Sequence, residues 1–142
     1  MTRMTSNEYD LLKQAQAIVD QSLATHDSPE KQLYQAALKL IENPRNWCQG
    51  KYHRVEEDWF PYLQHLQHLQ PYPVVHHQYC SIGAITKARD YLQSNQRTYV
   101  NVHMAFHRML GVNGSLVAFN DSHTHDQVIA LWYAVGNASG WR

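Results

Sequence analysis

Cys80 is the residue of this chain with the best local setting for chemistry. It stands where an extended run, Pro73-Val74-Val75-His76-His77-Gln78, gives way to a helical one carried by Ile82, Ile85, Ala88 and Leu92. A helix N-terminus concentrates unpaired N–H groups and partial positive charge, and both lower the pKa of an accessible thiol. A nucleophilic cysteine also needs a base, a group that orients the base and an oxyanion donor. Gln49 is the candidate donor, and His107, or else His103, His123 or His125, is the candidate base. Asn120 or Asp121 would orient it.

The order Gln, Cys, His, Asn/Asp is also that of papain-like hydrolases, although order alone is weak evidence because such constellations are defined by geometry. The competing reading of Cys80 is a small apolar thiol packed at a strand–helix junction, with Gly83 allowing close backbone approach. Free cysteine is among the most buried residue types, which favours that reading.

The ten histidines raise a second chemistry. His103 and His107 are four apart, so a helix projects them from one face. With His123 as a third ligand they would suit zinc or another transition metal. No recognised ligand spacing such as H-E-x-x-H accompanies them, and nothing in the sequence requires a cofactor. Asn120-Asp121 has a structural reading of its own, since Asx side chains commonly satisfy loop N–H groups.

These residues need elements to hold them. Thr5-Ser6-Asn7-Glu8 has the form of a capping box, and Leu11, Leu12, Ala15, Ile18 and Val19 predict an amphipathic helix over about 6–25, within an N-terminal unit of residues 1–26. Pro29 suits the first turn of a second helix with Leu33, Ala36, Ala37, Leu40 and Ile41 inside, ended by Asn43-Pro44. Trp47-Cys48-Gln49-Gly50 predicts an edge strand or tight loop. Residues 54–72 are read as a partly helical insertion or lid containing the repeated Q-H-L unit. Val74–Tyr79 is expected as a strand, Cys80 to about Ser94 as a helix, and Arg97–Leu110 as another. Ser115–Phe119 reads as a strand that ends at Asn120-Asp121. Thr124-His125-Asp126-Gln127 is a second capping box opening a last helix, and 136–142 is expected to be a loose tail. The fold class is therefore α+β and helix-dominated, a single domain over 1–142 with about five helices and a two- or three-stranded sheet.

Composition narrows the function. The 142 residues are 44% hydrophobic and 17% charged, which describes a folded chain. Twelve Lys and Arg balance twelve Asp and Glu, so nucleic acid is a disfavoured partner. No apolar run approaches the ~18 residues that span a bilayer. Two cysteines make no disulfide framework, and the N-terminus lacks an apolar signal core, so a cytoplasmic location with reduced thiols is expected.

Four short stretches together resemble a domain-of-unknown-function family of small bacterial and phage proteins: Trp47-Cys48-Gln49-Gly50, Cys80-Ser81-Ile82-Gly83-Ala84-Ile85, Phe119-Asn120-Asp121 and Thr124–Leu131. They match the patterns W-[CT]-Q-G, C-x-x-G-A-[IL], [FW]-N-D and T-x-x-[EQ]-V-I-A-L, over roughly residues 33–135. The resemblance implies a compact α+β domain in which these motifs sit close together, with Gln49, Gly50, Cys80, Gly83, Asn120 and Asp121 in the shared pattern. The histidines fall outside it, which weighs against a shared metal site or Cys-His dyad. The N-terminal helix and a longer stretch between Trp59 and Tyr79 are additions to it. The resulting expectation is a non-catalytic binding or regulatory domain with a protein partner or a homo-oligomeric state. The alternatives are a cysteine-centred hydrolase or acyl-transfer enzyme using Cys80, and a His-rich metal-binding protein.

Overall fold

Helix α2 (Pro29–Ile41) is the element on which the others pack. Its Ser28 N-cap accepts from the Lys31 N–H, and Pro29 occupies the first turn, where no N–H is needed. Leu33, Tyr34, Ala36, Ala37, Leu40 and Ile41 are almost fully buried, so the helix is enclosed nearly all round. Burying each Leu or Ile contributes about 1.5–3 kcal/mol, and the alanine pair lets neighbouring backbones approach. The computed structural model describes residues 7–25, 27–58 and 74–142. Among them α1 (Asn7–Thr25), α3 (Ser81–Leu92) and α4 (Gln96–Leu110) lie against α2. Helix α6 (His125–Ser139) packs on α4, and Trp132 fills the centre, edge-on to Phe106 at 4.7 Å. The Tyr34 hydroxyl donates to the Trp132 carbonyl, tying α2 to α6.

Strands β1 (His53–Asp58) and β2 (Val74–Tyr79) form one antiparallel pair, in register from His53 opposite Tyr79 to Asp58 opposite Val74. The outer edge of β2 is closed by side chains. Asn7 donates to the His77 carbonyl at 2.9 Å and accepts the His77 N–H at 2.6 Å, so its amide takes the place of a strand residue. Trp47 forms a parallel bridge with Tyr79. The expected tight segment against the sheet is therefore present at Trp47.

The helix-dominated α+β class holds, with six α-helices and a two-stranded sheet among the described residues, where about five helices were expected. The additional helix is α5 (Leu116–Ser122), which replaces the strand read at Ser115–Phe119. A short apolar run carries too little periodicity to separate the two states. What decides it is the Ser115 side chain, which caps the Ala118 N–H, and burial of Leu116 and Asn120, four apart on one helical face. Residues 54–58, read as the start of a partly helical lid, are strand instead, because pairing with β2 gives their backbone its partners. The rest of that segment, with the Q-H-L repeat, lies outside the described residues, as does Thr5 of the first capping box.

The segment 136–142, expected to be loose, is helical through Ser139. Trp141 then folds back: its N–H reaches the Gly136 carbonyl at 2.8 Å, its carbonyl accepts from Gln35 at 2.8 Å, and its ring lies 5.6 Å from that of Tyr34. Its small and polar composition hides a tertiary anchor. Replacing this half-buried ring, Trp141→Ala, is expected to lower stability by about 1–2 kcal/mol in urea denaturation. An unchanged midpoint would mean that the C-terminal residues do not anchor α2.

Candidate functional site

The sequence motifs converge on one side chain. Asn120 is fully buried in α5, and its amide is saturated. Its Oδ1 accepts from Trp47 Nε1 at 2.8 Å, from the Ser81 N–H at 3.0 Å and from Ser81 Oγ at 2.9 Å. Its Nδ2 donates to the Cys48 carbonyl at 3.1 Å and to Asp121 Oδ1 at 3.1 Å. Trp132 Nε1 donates to Ser81 Oγ at 3.0 Å, so a directed chain runs from the α6 indole through the serine hydroxyl to the asparagine. A carbonyl facing three donors and an NH₂ facing two acceptors admit a single amide orientation.

Each residue of Trp47-Cys48-Gln49-Gly50 takes part. Gln49 Nε2 donates to the carbonyls of Asn120 at 3.1 Å and His123 at 2.8 Å, satisfying the end of α5, whose last carbonyls lack intrahelical partners. The Gly50 N–H donates to Asp121 Oδ1 at 2.9 Å from a backbone with φ of +79°, a region glycine enters without strain. Cys80 is the N-cap of α3, and its sulfur accepts the Gly83 N–H at 3.3 Å. Gly83 is required by contact: a Cβ there would lie 1.7 Å from the Tyr52 carbonyl oxygen. The same carbonyl accepts the Cys80 N–H at 3.2 Å, which draws the loop down onto the helix start.

The thiol does not gain the acidity that its helix N-terminus suggests. Cys80 is 3% exposed, and burial pushes its pKa up, against a smaller downward pull from the Gly83 and Ile82 N–H groups. Desolvation of the thiolate outweighs the helix end. Burial, with the neighbouring Cys80 second, raises Cys48 to about 11. Both thiols are therefore neutral near pH 7. A pocket of about 300 Å³ opens beside the cluster, lined by Gly50, Lys51, Tyr52, Cys80, Val117 and Asp121. On the far side of Tyr52 lies a larger groove of about 530 Å³, bordered by Tyr52, His53, Tyr79, Lys87, Asp90 and Tyr99.

The structure brings together Gln49, Cys80, Asn120 and Asp121, and leaves the histidines elsewhere. No histidine is hydrogen-bonded to the Cys80 sulfur among the described residues. His107 is exposed in the last turn of α4. His103 is half-buried on the same helix, edge-on to Tyr99 at 4.5 Å, and burial followed by the like charge of His107 lowers its pKa. His123 stacks on Phe119 at 3.7 Å and donates from Nδ1 to the Phe119 carbonyl at 2.8 Å. His125 lies near Trp47 and hydrogen-bonds the Ile41 carbonyl at 2.7 Å. Among the described residues no three His, Cys, Asp or Glu side chains are placed to share a metal ion, so His103, His107 and His123 form no ligand set.

Three members of the cluster escaped sequence reasoning in this role. Trp47 reads only as part of an edge strand or tight loop and Trp132 only as a position in the last helix, and Ser81 carries no signal, because its importance comes from the amide opposite it. Asn120→Ala would leave the Trp47 indole, both Ser81 donors and the Cys48 carbonyl without their partner. The expected loss is at least about 3 kcal/mol in chemical denaturation. Asn120→Asp, of nearly the same shape, should cost a similar amount, because it cannot donate to the Cys48 carbonyl and would bury a charge beside Asp121. A wild-type midpoint for either variant would contradict the role given to this amide.

No curated protein and no solved structure matches the chain. A family model does, over residues 25–138, and its description is a family of unknown function. The matched span starts just before α2 and ends within α6, so it contains all of the Asn120 cluster and leaves out most of α1. The chain belongs to the Family of unknown function (DUF6197).

Proposed function

We propose that this chain is a non-catalytic binding domain, acting as one domain in a reducing cytoplasm, whose polar cluster builds the fold and whose ligand lies in the groove beside it. The observation that carries this reading is the complete internal use of Asn120. Every donor and acceptor of its amide is spent on Trp47, Cys48, Ser81 and Asp121, so none is left to orient a base or hold a substrate. Against the cysteine-enzyme alternative stand a buried, neutral thiol and, among the described residues, the lack of a histidine hydrogen-bonded to it.

The groove offers what the cluster does not. Its volume of about 530 Å³ falls within the roughly 300–1,000 Å³ of ordinary ligand pockets. Tyrosine and histidine rings supply flat apolar area, with Thr86, Lys87 and Asp90 as polar groups at its border. Tyr52 is 63% exposed at its rim. A small ligand with a planar ring and a polar edge fits this lining, since rings stack on rings and the polar groups fix orientation.

Two measurements test the reading. Alkylation of Cys80 in a Cys48→Ala background should be many-fold slower than that of a free thiol, because the thiol stays protonated; labelling of the folded protein at the rate of a free thiol would return the cysteine enzyme to first place. Titration of ¹⁵N-labelled protein with nucleosides and aromatic amino acids should move the resonances of Tyr52, Lys87 and Tyr99. Tyr52→Ala should weaken that binding roughly tenfold, about 1.4 kcal/mol. Shifts elsewhere, or none across the panel, would remove the groove from the proposal.

A further inference from the structure

Cys48 and Cys80 are the only cysteines of the chain; both are free, and both are buried. They lie on neighbouring backbone segments in step with one another. Trp47 bridges Tyr79 in parallel, and the Cys48 N–H donates to the Tyr79 carbonyl at 3.0 Å. That bridge is isolated, and the residues that follow it on the two segments are Cys48 and Cys80. Residues side by side on adjacent segments have Cα atoms about 5 Å apart from the strand spacing. That separation lies inside the range a disulfide spans.

Neither sulfur is held strongly. Cys48 Sγ donates to the Lys51 carbonyl at 3.4 Å, and Cys80 Sγ accepts the Gly83 N–H at 3.3 Å. The two differ in access. Cys80 forms part of the wall of the 300 Å³ pocket, and Cys48 is not among its lining residues. The charge of Cys80 is, after burial, the largest cause of the raised Cys48 pKa.

From this register we propose that Cys48 and Cys80 are a modification site: a dithiol that a peroxide converts to an intramolecular disulfide. Cys80, reached through the pocket, reacts first. Its sulfur, losing its proton, attacks one peroxide oxygen; the O–O bond breaks, the other oxygen leaves as water, and Cys80 becomes a sulfenic acid. The Cys48 sulfur then attacks that sulfur; the S–O bond breaks, and the hydroxyl leaves with the Cys48 proton as a second water. Two thiols have lost two electrons, and one hydrogen peroxide has become two waters. Burial makes the first step slow, and adjacency makes the second fast, so cross-linking outruns further oxidation. The product would staple the Trp47–Tyr52 loop to the start of α3, where Asn120 already holds both. A thiol reductant would reverse it. This proposal is independent of the ligand groove.

The test uses the full chain treated with hydrogen peroxide, then alkylated in denaturant and weighed intact. The expected product is a monomer lighter by two hydrogens, with its alkylable thiols reduced from two to none. Proteolysis should yield a Cys48–Cys80 linked peptide, and dithiothreitol should restore both thiols. Cys48→Ala under the same conditions should stop at a Cys80 sulfenic acid that dimedone traps. Recovery of two alkylable thiols, sulfinic acid without a cross-link, or cross-links only between chains would each overturn the proposal.

Discussion

A buried primary amide is costly unless all of its hydrogen bonds are made, and this fold is arranged so that one of them is satisfied completely. Asn120 joins the loop after α2, the start of α3 and the short helix α5, and through Ser81 it reaches the central tryptophan of α6. None of these connections is local in sequence. Apolar burial around α2 supplies the bulk of the stability, but apolar contact is non-directional and tolerates small slides. The amide does not, because moving any partner by an ångström leaves a polar group unpaired inside the protein.

The same constraint accounts for the small residues around it. Gly83 admits the Tyr52 carbonyl, and that carbonyl positions Cys80 at the helix cap. Cys80 then serves as a compact cap acceptor that also fills apolar space. Packing this close buries the sulfur, and burial raises the thiol pKa. The arrangement that makes the junction tight thus makes its sulfur a poor nucleophile at neutral pH. A motif with the residue types of a catalytic site can in this way be a joint.

Elements with long periodic patterns were legible in the sequence. The stripes of α1, α2 and α4 and the capping box of α6 appear where their residues predict them. Ser115–Phe119 reads as a strand because Leu-Val-Ala-Phe suits a strand as well as a helix, and the Ser115 cap with the burial of Leu116 and Asn120 decides for the helix. Residues 136–142 read as loose because glycine, asparagine and serine advertise looseness, and nothing local reveals the Tyr34 ring under Trp141. Of the site, the resemblance placed Gln49, Gly50, Cys80, Gly83, Asn120 and Asp121 close together, and Gln49, Gly50, Cys80, Asn120 and Asp121 do meet in the cluster. The role of Ser81 was invisible, since a serine in the first turn of a helix is unremarkable until an asparagine 39 residues away faces it.

As a joint, the cluster should belong to the most stable unit of the protein, whereas a site built for substrate entry would open more readily than the core. Native-state hydrogen exchange reads this directly. The Ser81 N–H, bound to Asn120, should exchange only through global unfolding, with the same protection free energy as core amides of α2 such as that of Ala37. Exchange of Ser81 through a local opening, with the α2 amides still protected, would contradict the claim that this hydrogen-bonded joint holds the fold together.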